Sequence, residues 1–402
     1  MGRRVKIEMV VSKNKLKFLV LIFVCIIFFK PLAVNSLPEY NSLNNLWDSV
    51  RVLVFLGLAA KILLYHRISH MLTSVMVCHA IFFFSTFVHE GNVKGLIVQA
   101  ASVIGFCFLI EIEGRKNLEK FYEALFWGLS ILIILHTIFM ILKPEGLGYD
   151  RVYYNSVYFL ASKNGLTKFF FPAVVSGLVC YEIDSQKYKK RAVGIAGLCL
   201  ILSIVVHSTT TMIGLIVCIS LFCLSKSGGG IKRLPLNINR ISILILAVAL
   251  IASLVAFNGG LNSIVSSLSD AQKATNYLDR VVIWKKAISL IKNSPILGYG
   301  MPYNGGHINV NGKYMYSHNG YLEFFLYGGI IGFFLCLQQL TFVLRARGEI
   351  KQNSICIPVV CGIVGFVIMM ITESHVSTIA YWGFFVMFEQ LLNYERNLGS
   401  SE

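Results

Sequence analysis

Long apolar segments recur along the whole chain and alternate with short polar turns. The segments hold roughly 17 to 25 residues, which is enough for a helix to cross the hydrocarbon core of a bilayer. They lack the period-two alternation of a membrane β-barrel. The pattern therefore predicts an all-α, polytopic integral membrane protein of about twelve transmembrane helices. The predicted spans lie at about 16–34, 50–65, 71–88, a fourth ending near Glu111, 121–142, 166–183, 192–206, 211–224, 241–257, 321–344, 356–371 and 377–392.

One long polar interval, 258–318, interrupts the apolar pattern. It follows the ninth predicted span, and it is the stretch in which we expect chemistry. The chain therefore divides into an N-terminal region of about nine spans (1–257), one long extracytoplasmic loop (258–318), and a C-terminal region of about three spans with a cytoplasmic tail (319–402).

The composition and charge agree with a membrane protein. The chain has 402 residues, of which 56% are hydrophobic and 14% charged, whereas soluble domains carry about 25% charged residues. The net charge of +16 could indicate a nucleic-acid partner, but the basic residues lie in short loops between spans. Basic loops are typical of the cytoplasmic side. We therefore expect both termini inside, at the cytoplasmic (inner) membrane, and no nucleic-acid partner.

The amino terminus is basic ahead of the first span, which fits an uncleaved anchor or a cleaved signal peptide. The residues after Pro31 make a poor small-residue cleavage site, so the anchor is favoured. The ten cysteines lie within or at the ends of apolar spans, and we interpret them as small buried hydrophobes rather than a disulfide framework or a metal site.

The long loop contains a segment with helical spacing between Leu278 and Ile291. Arg280 falls on the same stripe as Trp284 and Ile291. Its side chain could snorkel to lipid headgroups or stack on Trp284. Alternatively, it could grip a phosphate group through two parallel charged hydrogen bonds.

A glycine-rich turn and a histidine follow that segment. Gly298-Tyr299-Gly300 indicates turns over the membrane surface, because the strand that a dinucleotide site requires is missing. His318 and Asn319 stand at the predicted start of the tenth span, where free backbone amides favour an anion. His318 could be an interfacial side chain, or it could take a proton from a hydroxyl near neutral pH. Glu323 in the first turn suits the helix dipole and could instead orient His318.

Together these motifs resemble the signature region of the O-antigen polymerase and ligase family of bacterial membrane glycosyltransferases. The resemblance covers about Arg151 to Gly332. The matching residues are Arg280-x-x-x-Trp284, Pro295-x-Leu297-Gly298-Tyr299-Gly300, His318-Asn319-x-x-Leu322-Glu323, Gly328-Gly329 and Gly332, with Ser162-Lys163-Asn164 and Ser208-Thr209-Thr210 in the family's order.

The resemblance implies a metal-independent, inverting glycan transfer from a polyprenyl diphosphate carrier at the outer face of the membrane, with no cofactor. In this scheme Arg280 holds the diphosphate and stabilises it as the leaving group, and His318 is the base for the acceptor hydroxyl. Lys163 stands where relatives have an arginine, and lysine lacks the fork geometry, so Arg151 is the alternative second clamp. The candidate diphosphate- or substrate-binding residues are Arg151, Lys163, Asn164, Trp284, Tyr299, Asn319 and Glu323.

The leading hypothesis is an O-antigen or capsular polysaccharide repeat-unit polymerase. The second is the ligase of the same family, which transfers the finished glycan to lipid A core. A transporter without covalent chemistry is the competitor from another class, but the centres of most spans lack charge. The expected partners are a polyprenyl-diphosphate-linked oligosaccharide and membrane lipid. A chain-length regulator and a flippase are candidate protein partners, with the loop 226–240 and the tail as candidate surfaces.

Overall fold

A computed structural model of the chain describes residues 2–65, 68–150, 155–226, 271–303, 305–310, 312–346, 350 and 354–399. The ninth predicted span, the loop beyond Lys226 and the candidate clamp Arg151 lie outside the described residues.

Helices dominate the described part of the chain, which contains thirteen α-helices. They are α1 (Gly2–Ile27), α2 (Leu32–Ser36), α3 (Asn41–Tyr65), α4 (His70–Val88), α5 (Val93–Lys116), α6 (Leu118–Leu142), α7 (Thr167–Ile183), α8 (Ser185–Val205), α9 (Thr209–Lys226), α10 (Ala271–Asn293), α11 (Gly320–Arg345), α12 (Ile357–Met369) and α13 (Ile379–Gly399).

Six helical segments among the described residues are long and apolar enough to cross a membrane: α4, α5, α6, Lys163–Ile183 (which contains α7), α9 and α11. The expected membrane character is thus supported, while the count of about twelve spans stays a prediction. The predicted end of the first span is wrong. Helix α1 ends at Ile27, ahead of Pro31, which caps the short α2. Helix α3 begins at Asn41 and contains the predicted span 50–65; its first two turns are polar, so a hydropathy criterion does not detect them.

Helix α13 is the central helix of the bundle. Its large side chains Trp382, Phe384, Phe385 and Phe388 are all fully buried. It packs against α4, α5, α7 and α12. A helix that is apolar around most of its circumference belongs in a protein core rather than at a lipid surface. This core holds the ends of the surrounding helices in place, and the loop before α13 forms one wall of the candidate site described below.

Helix α11 is broken at Gly329, which adopts φ 60° and ψ −155°. The break leaves the carbonyl groups of Leu326 and Tyr327 without their usual helical donors. The amides of Tyr299 and Gly300 donate to these two carbonyls at 2.6 and 3.1 Å. The glycine-rich turn therefore replaces hydrogen bonds that a continuous helix would make within itself.

The same turn requires glycine for steric reasons. The amide of Ile330 donates to the carbonyl of Pro295 at 2.8 Å, so the two segments are bonded in both directions. Gly298 and Gly300 have φ values of 65° and 73°. A Cβ atom on Gly300 would lie 2.2 Å from atoms of Thr86. Only glycine combines this conformation with such a close approach.

Two short antiparallel hairpins depart from the all-α expectation. Strand β1 (Gly148–Asp150) pairs with β2 (Asn155–Val157), and β3 (Ile308–Val310) pairs with β4 (Lys313–Met315). Three-residue strands are too short to leave a period-two pattern in the sequence. The β3–β4 hairpin ends just before the segment that carries His318, and it thereby brings that segment to the start of α11.

Candidate functional site

A cavity of about 450 Å³ lies where four separate parts of the chain meet. Its walls are the 3-10 turn Lys163–Leu166, helix α10, the segment between β4 and α11, and the loop between α12 and α13. Four of the residues singled out in the sequence line this cavity together. The lining residues are Ser162, Lys163, Asn164, Gly165, Arg280, Ile283, Met315, Tyr316, His318 and Glu373.

His318 lies at the base of the cavity in an unusual backbone conformation. Its φ of 49° falls in the left-handed region, which a non-glycine residue rarely adopts. Its ring packs against the ring of Tyr316, with centroids 4.2 Å apart. Its Nδ1 atom is buried and lies 3.7 Å from Oε1 of Glu373. A quarter of the side chain remains exposed, so Nε2 is the ring nitrogen available to a bound molecule.

Glu373 is the carboxylate that faces His318, and it is 5% exposed. Its Oε2 accepts a hydrogen bond of 2.6 Å from Nδ2 of Asn164. Burial by itself would raise the pKa of this carboxyl group. The neighbouring His318, the charge of His375 and the Asn164 amide outweigh burial and lower the pKa to about 2. Glu373 is therefore an ionised carboxylate, held between an imidazole and an amide.

Asn164 is fixed by a chain of hydroxyl groups from the helices behind it. Ser208 donates from Oγ to Oδ1 of Asn164 at 2.8 Å. Ser208 also lies 2.7 Å from the hydroxyl of Thr211, which in turn lies 2.7 Å from that of Thr167. These groups come from the starts of α7 and α9, next to the tight turn predicted between the seventh and eighth spans. The network fixes which way the Asn164 amide points, so that Nδ2 faces Glu373.

Arg280 lines the cavity from α10, and the helical segment predicted between Leu278 and Ile291 lies within this helix. Its Nη1 donates to the carbonyl of Thr372 at 3.0 Å. Guanidinium has five N–H donors, so one bond to the backbone leaves others for an anion. On the same face of α10, Trp284 and Ala287 are 2% and 0% exposed and anchor the helix. The helix is thus held by packing, and Arg280 is held at the cavity wall.

Lys163 lies exposed at the cavity rim, in the 3-10 turn ahead of α7. Its φ is 28°, which is the second left-handed non-glycine backbone in this cavity. Together with Arg280 it gives the cavity two cationic side chains, against one carboxylate, that of Glu373, among the lining residues that the structure describes. This balance suits a ligand with more than one negative charge.

Trp284 and Tyr299, both predicted to bind substrate, lie outside the cavity lining. Trp284 donates from Nε1 to the carbonyl of Ser317 at 2.9 Å, which supports the residue preceding His318. Tyr299 donates from its hydroxyl to the carbonyl of Leu290 at 2.9 Å. Both side chains therefore brace the loop around the site.

Asn319 and Glu323 also have structural partners. Asn319 caps α11, because its Oδ1 accepts from the amides of Tyr321 and Leu322 at 3.0 Å each. Its Nδ2 donates to the carbonyl of Ile371 at 2.8 Å, which ties the helix start to the loop that carries Glu373. Glu323 accepts hydrogen bonds from the amide and the hydroxyl of Ser317. The carboxylate beside His318 is accordingly that of Glu373 rather than Glu323.

The sequence motifs do not include Glu373, which lies between the predicted spans 356–371 and 377–392. One sequence feature could have identified it: Glu373 is an acidic residue in a short turn between two strongly apolar segments. Ser208 belongs to one of the matching motifs, whereas Tyr316 belongs to none of them. Across the described ranges, no group of three or more histidine, cysteine, aspartate or glutamate side chains is arranged to hold a metal ion.

The comparison with protein families gives one match. Residues 194–337 match the family model described as O-antigen ligase. This segment includes α9, α10, the β3–β4 hairpin and most of α11, and it contains Arg280 and His318. The resemblance carried by the sequence motifs is confirmed over this segment. Neither the curated proteins nor the solved structures contain a match to the chain.

Proposed function

We propose that this chain, which carries the O-antigen ligase family domain over residues 194–337, is a membrane glycosyltransferase that polymerises polysaccharide repeat units. It would transfer a glycan from polyprenyl diphosphate to a hydroxyl group of an acceptor sugar at the outer face of the membrane. One observation carries the proposal: a base candidate, its carboxylate and two cations, far apart in sequence, meet around one cavity.

His318 is the proposed base for the acceptor hydroxyl. Because Nδ1 faces the ionised Glu373, the favoured tautomer carries its proton on Nδ1 and leaves the Nε2 lone pair free. Nε2 can then accept the hydroxyl proton as the acceptor oxygen attacks. The imidazolium that forms is stabilised by Glu373, in the way that a buried aspartate supports the histidine of a serine protease.

Arg280 and Lys163 are the proposed diphosphate ligands. As the acceptor oxygen bonds to the anomeric carbon, the bond from that carbon to the diphosphate oxygen breaks. The electron pair of that bond leaves with the diphosphate, which gains negative charge. Arg280 offers a planar fork of N–H donors, whereas Lys163 offers a point charge at the rim. Attack on the face opposite the leaving group inverts the anomeric centre.

The ligase activity is the second candidate, because the matching family model is described as O-antigen ligase. A ligase would use the same base and the same cations, and its acceptor would be the lipid A core instead of a growing glycan. The two activities therefore differ in the acceptor and not in the chemistry of this cavity.

The test is the ladder of glycan chain lengths in cells that lack the gene. The cells are complemented with wild type, Arg280→Ala, Arg280→Lys or His318→Ala at matched protein levels. Lys285→Ala is the control, because Lys285 is an exposed cation on the same helix outside the cavity lining. We expect the control to restore long chains and both alanine variants to lose them, with transfer reduced at least about 10²-fold.

Each outcome separates the candidates. A polymerase predicts that single repeat units still reach their final acceptor when long chains are lost. Loss of every glycan form, with long chains accumulating on the carrier lipid, would identify a ligase. A normal ladder in both alanine variants would refute the catalytic assignment and favour a transporter.

A further inference from the structure

A second cavity, of about 710 Å³, opens at the other end of helix α6 from the candidate site. Helices α1, α3 and α5 and the turn into α6 form its walls. Its polar lining residues gather at one end and include Lys17, Lys116 and Lys120. The rest of the lining is aliphatic or aromatic, for example Val24 on α1 and Leu58 on α3. The cavity is therefore a groove with a basic head and an apolar body.

The groove has the depth of one membrane leaflet. On α1 it extends from Asn14 to Val24, which at 1.5 Å per residue is about 15 Å. The hydrocarbon core of a bilayer is about 30 Å thick, so one leaflet contributes about 15 Å. Leu16 and Val20 on the same stretch are more than half exposed, as expected for a surface that meets lipid.

The basic head keeps a net positive charge after its internal ion pairs are counted. Among the described residues that line the groove, Glu113 is the one carboxylate, and it lies 3.4 Å from Lys61 and 3.8 Å from Lys116. Within the part of the chain that the structure describes, Lys17 and Lys120 form no ion pair. Two cationic groups therefore remain at the polar end of the groove.

We propose that this groove binds one anionic phospholipid of the leaflet on the basic side of the membrane. An acyl chain would lie along the apolar body, and the headgroup phosphate would lie between Lys17 and Lys120. Lysine side chains at helix ends extend their amines to the headgroup layer, and basic pockets between membrane helices favour anionic headgroups. This site is independent of the proposed glycosyl transfer, since it lies at the opposite end of α6.

The test is lipid competition measured by native mass spectrometry on the full chain in detergent. Phosphatidylglycerol and phosphatidylcholine with identical acyl chains are offered at equal concentrations. We expect wild type to retain phosphatidylglycerol preferentially. The double variant Lys17→Gln/Lys120→Gln should reduce this preference by about 5-fold for each lysine, because each cation near an anionic surface contributes on that scale. Lys189→Gln/Lys190→Gln, two exposed lysines on α8 outside the groove, should leave it unchanged.

A second variant tests the apolar body. Leu58→Trp places a larger side chain in the groove and should reduce the number of retained lipids of both kinds. The proposal is overturned if wild type shows no preference for phosphatidylglycerol, or if the α8 control loses the preference to the same extent. It is also overturned if the double variant keeps the preference, or if polyprenyl phosphate displaces phosphatidylglycerol at equal concentration.

Discussion

At the scale of single residues, the candidate site contains two residues whose backbone conformation is energetically costly. His318 and Lys163 both have a positive φ, which costs about 1 kcal/mol or more for a residue with a Cβ atom. Such conformations persist where the surroundings enforce them. For His318 the neighbouring interactions are the packing of its ring against Tyr316 and the capping of α11 by the next residue, Asn319. The imidazole is thereby aimed at Glu373.

Glu373 is expected to act as a positioning residue for His318. Glu373→Gln keeps the size of the side chain but removes its charge, so the Nδ1–H tautomer of His318 loses its partner. We expect glycan transfer to fall by about 10²-fold or more. Glu373→Asp, which keeps the carboxylate on a shorter side chain, should recover part of the activity. Chain-length ladders at matched protein levels measure both, and equal losses in the two variants would contradict a role for the charge.

The pH dependence of protein stability is an independent test of the ionised state of Glu373. The pKa of Glu373 is lowered from 4.5 to about 2 in the folded protein. A lowered carboxyl pKa contributes stability that is present above about pH 4.5 and is lost as the pH falls towards 2. The melting temperature of wild type should therefore exceed that of Glu373→Gln at pH 6 to 7, and the difference should shrink between pH 4.5 and 3. A constant difference over that range would show that Glu373 has no lowered pKa.

At the scale of elements, the break in α11 organises the outer loop. The glycine-rich turn 295–300 bonds to the broken segment of α11, and the adjoining helix α10 carries Arg280. Tyr299 and Trp284 then brace this unit through hydrogen bonds to backbone carbonyls. The glycine motifs were noticed in the sequence as turns. Their partner was invisible there, because the turn and the break are separated by about thirty residues of chain.

Gly329→Ala should disrupt this unit. A Cβ atom at Gly329 would lie 2.1 Å from the carbonyl oxygen of Ile296, and φ there is 60°. Because the neighbouring atoms belong to the backbone, they cannot move aside at low cost. We expect the free energy of unfolding to fall by about 2 kcal/mol or more, measured as a drop in melting temperature in detergent.

The matched control for this substitution is Gly197→Ala in helix α8. Nothing lies within 4 Å of the Cβ position at Gly197, and alanine favours a helix over glycine by about 1 kcal/mol. The control should therefore leave the melting temperature unchanged or raise it. A variant Gly329→Ala with wild-type stability would mean that the turn and α11 are not coupled in this way.

At the scale of the whole molecule, the two cavities lie at opposite ends of the helix bundle. The candidate site draws on the starts of α7 and α11, on α10, and on the loop before α13. The lipid groove lies beside the basic turn between α5 and α6. Basic loops are expected to face the cytoplasm, so the candidate site is expected to face the outside, where polyprenyl-linked glycans would be used.

Cysteine labelling in intact cells tests this orientation. Nine of the ten native cysteines are buried and Cys223 is exposed, so Cys223→Ser is the background. In this background, Lys163→Cys and Tyr314→Cys should react with a membrane-impermeant maleimide added outside. Lys120→Cys and Lys189→Cys should react only after the membrane is permeabilised. The reverse pattern would invert the orientation, and labelling of both pairs from outside would contradict the assignment of spans between them.

The sequence by itself determined the helical membrane character and the family resemblance, and it singled out Arg280 and His318 as candidates. These conclusions depend on local properties, namely hydropathy over one helix length and residue types at short spacing. The tertiary structure decided which residues surround the cavity. It brought Glu373 and Asn164 to each other from positions more than two hundred residues apart, and it placed Trp284, Tyr299 and Asn319 in supporting hydrogen bonds. These contacts follow from long-range packing and from the need of each buried polar group for a hydrogen-bond partner. A local sequence pattern does not contain that information.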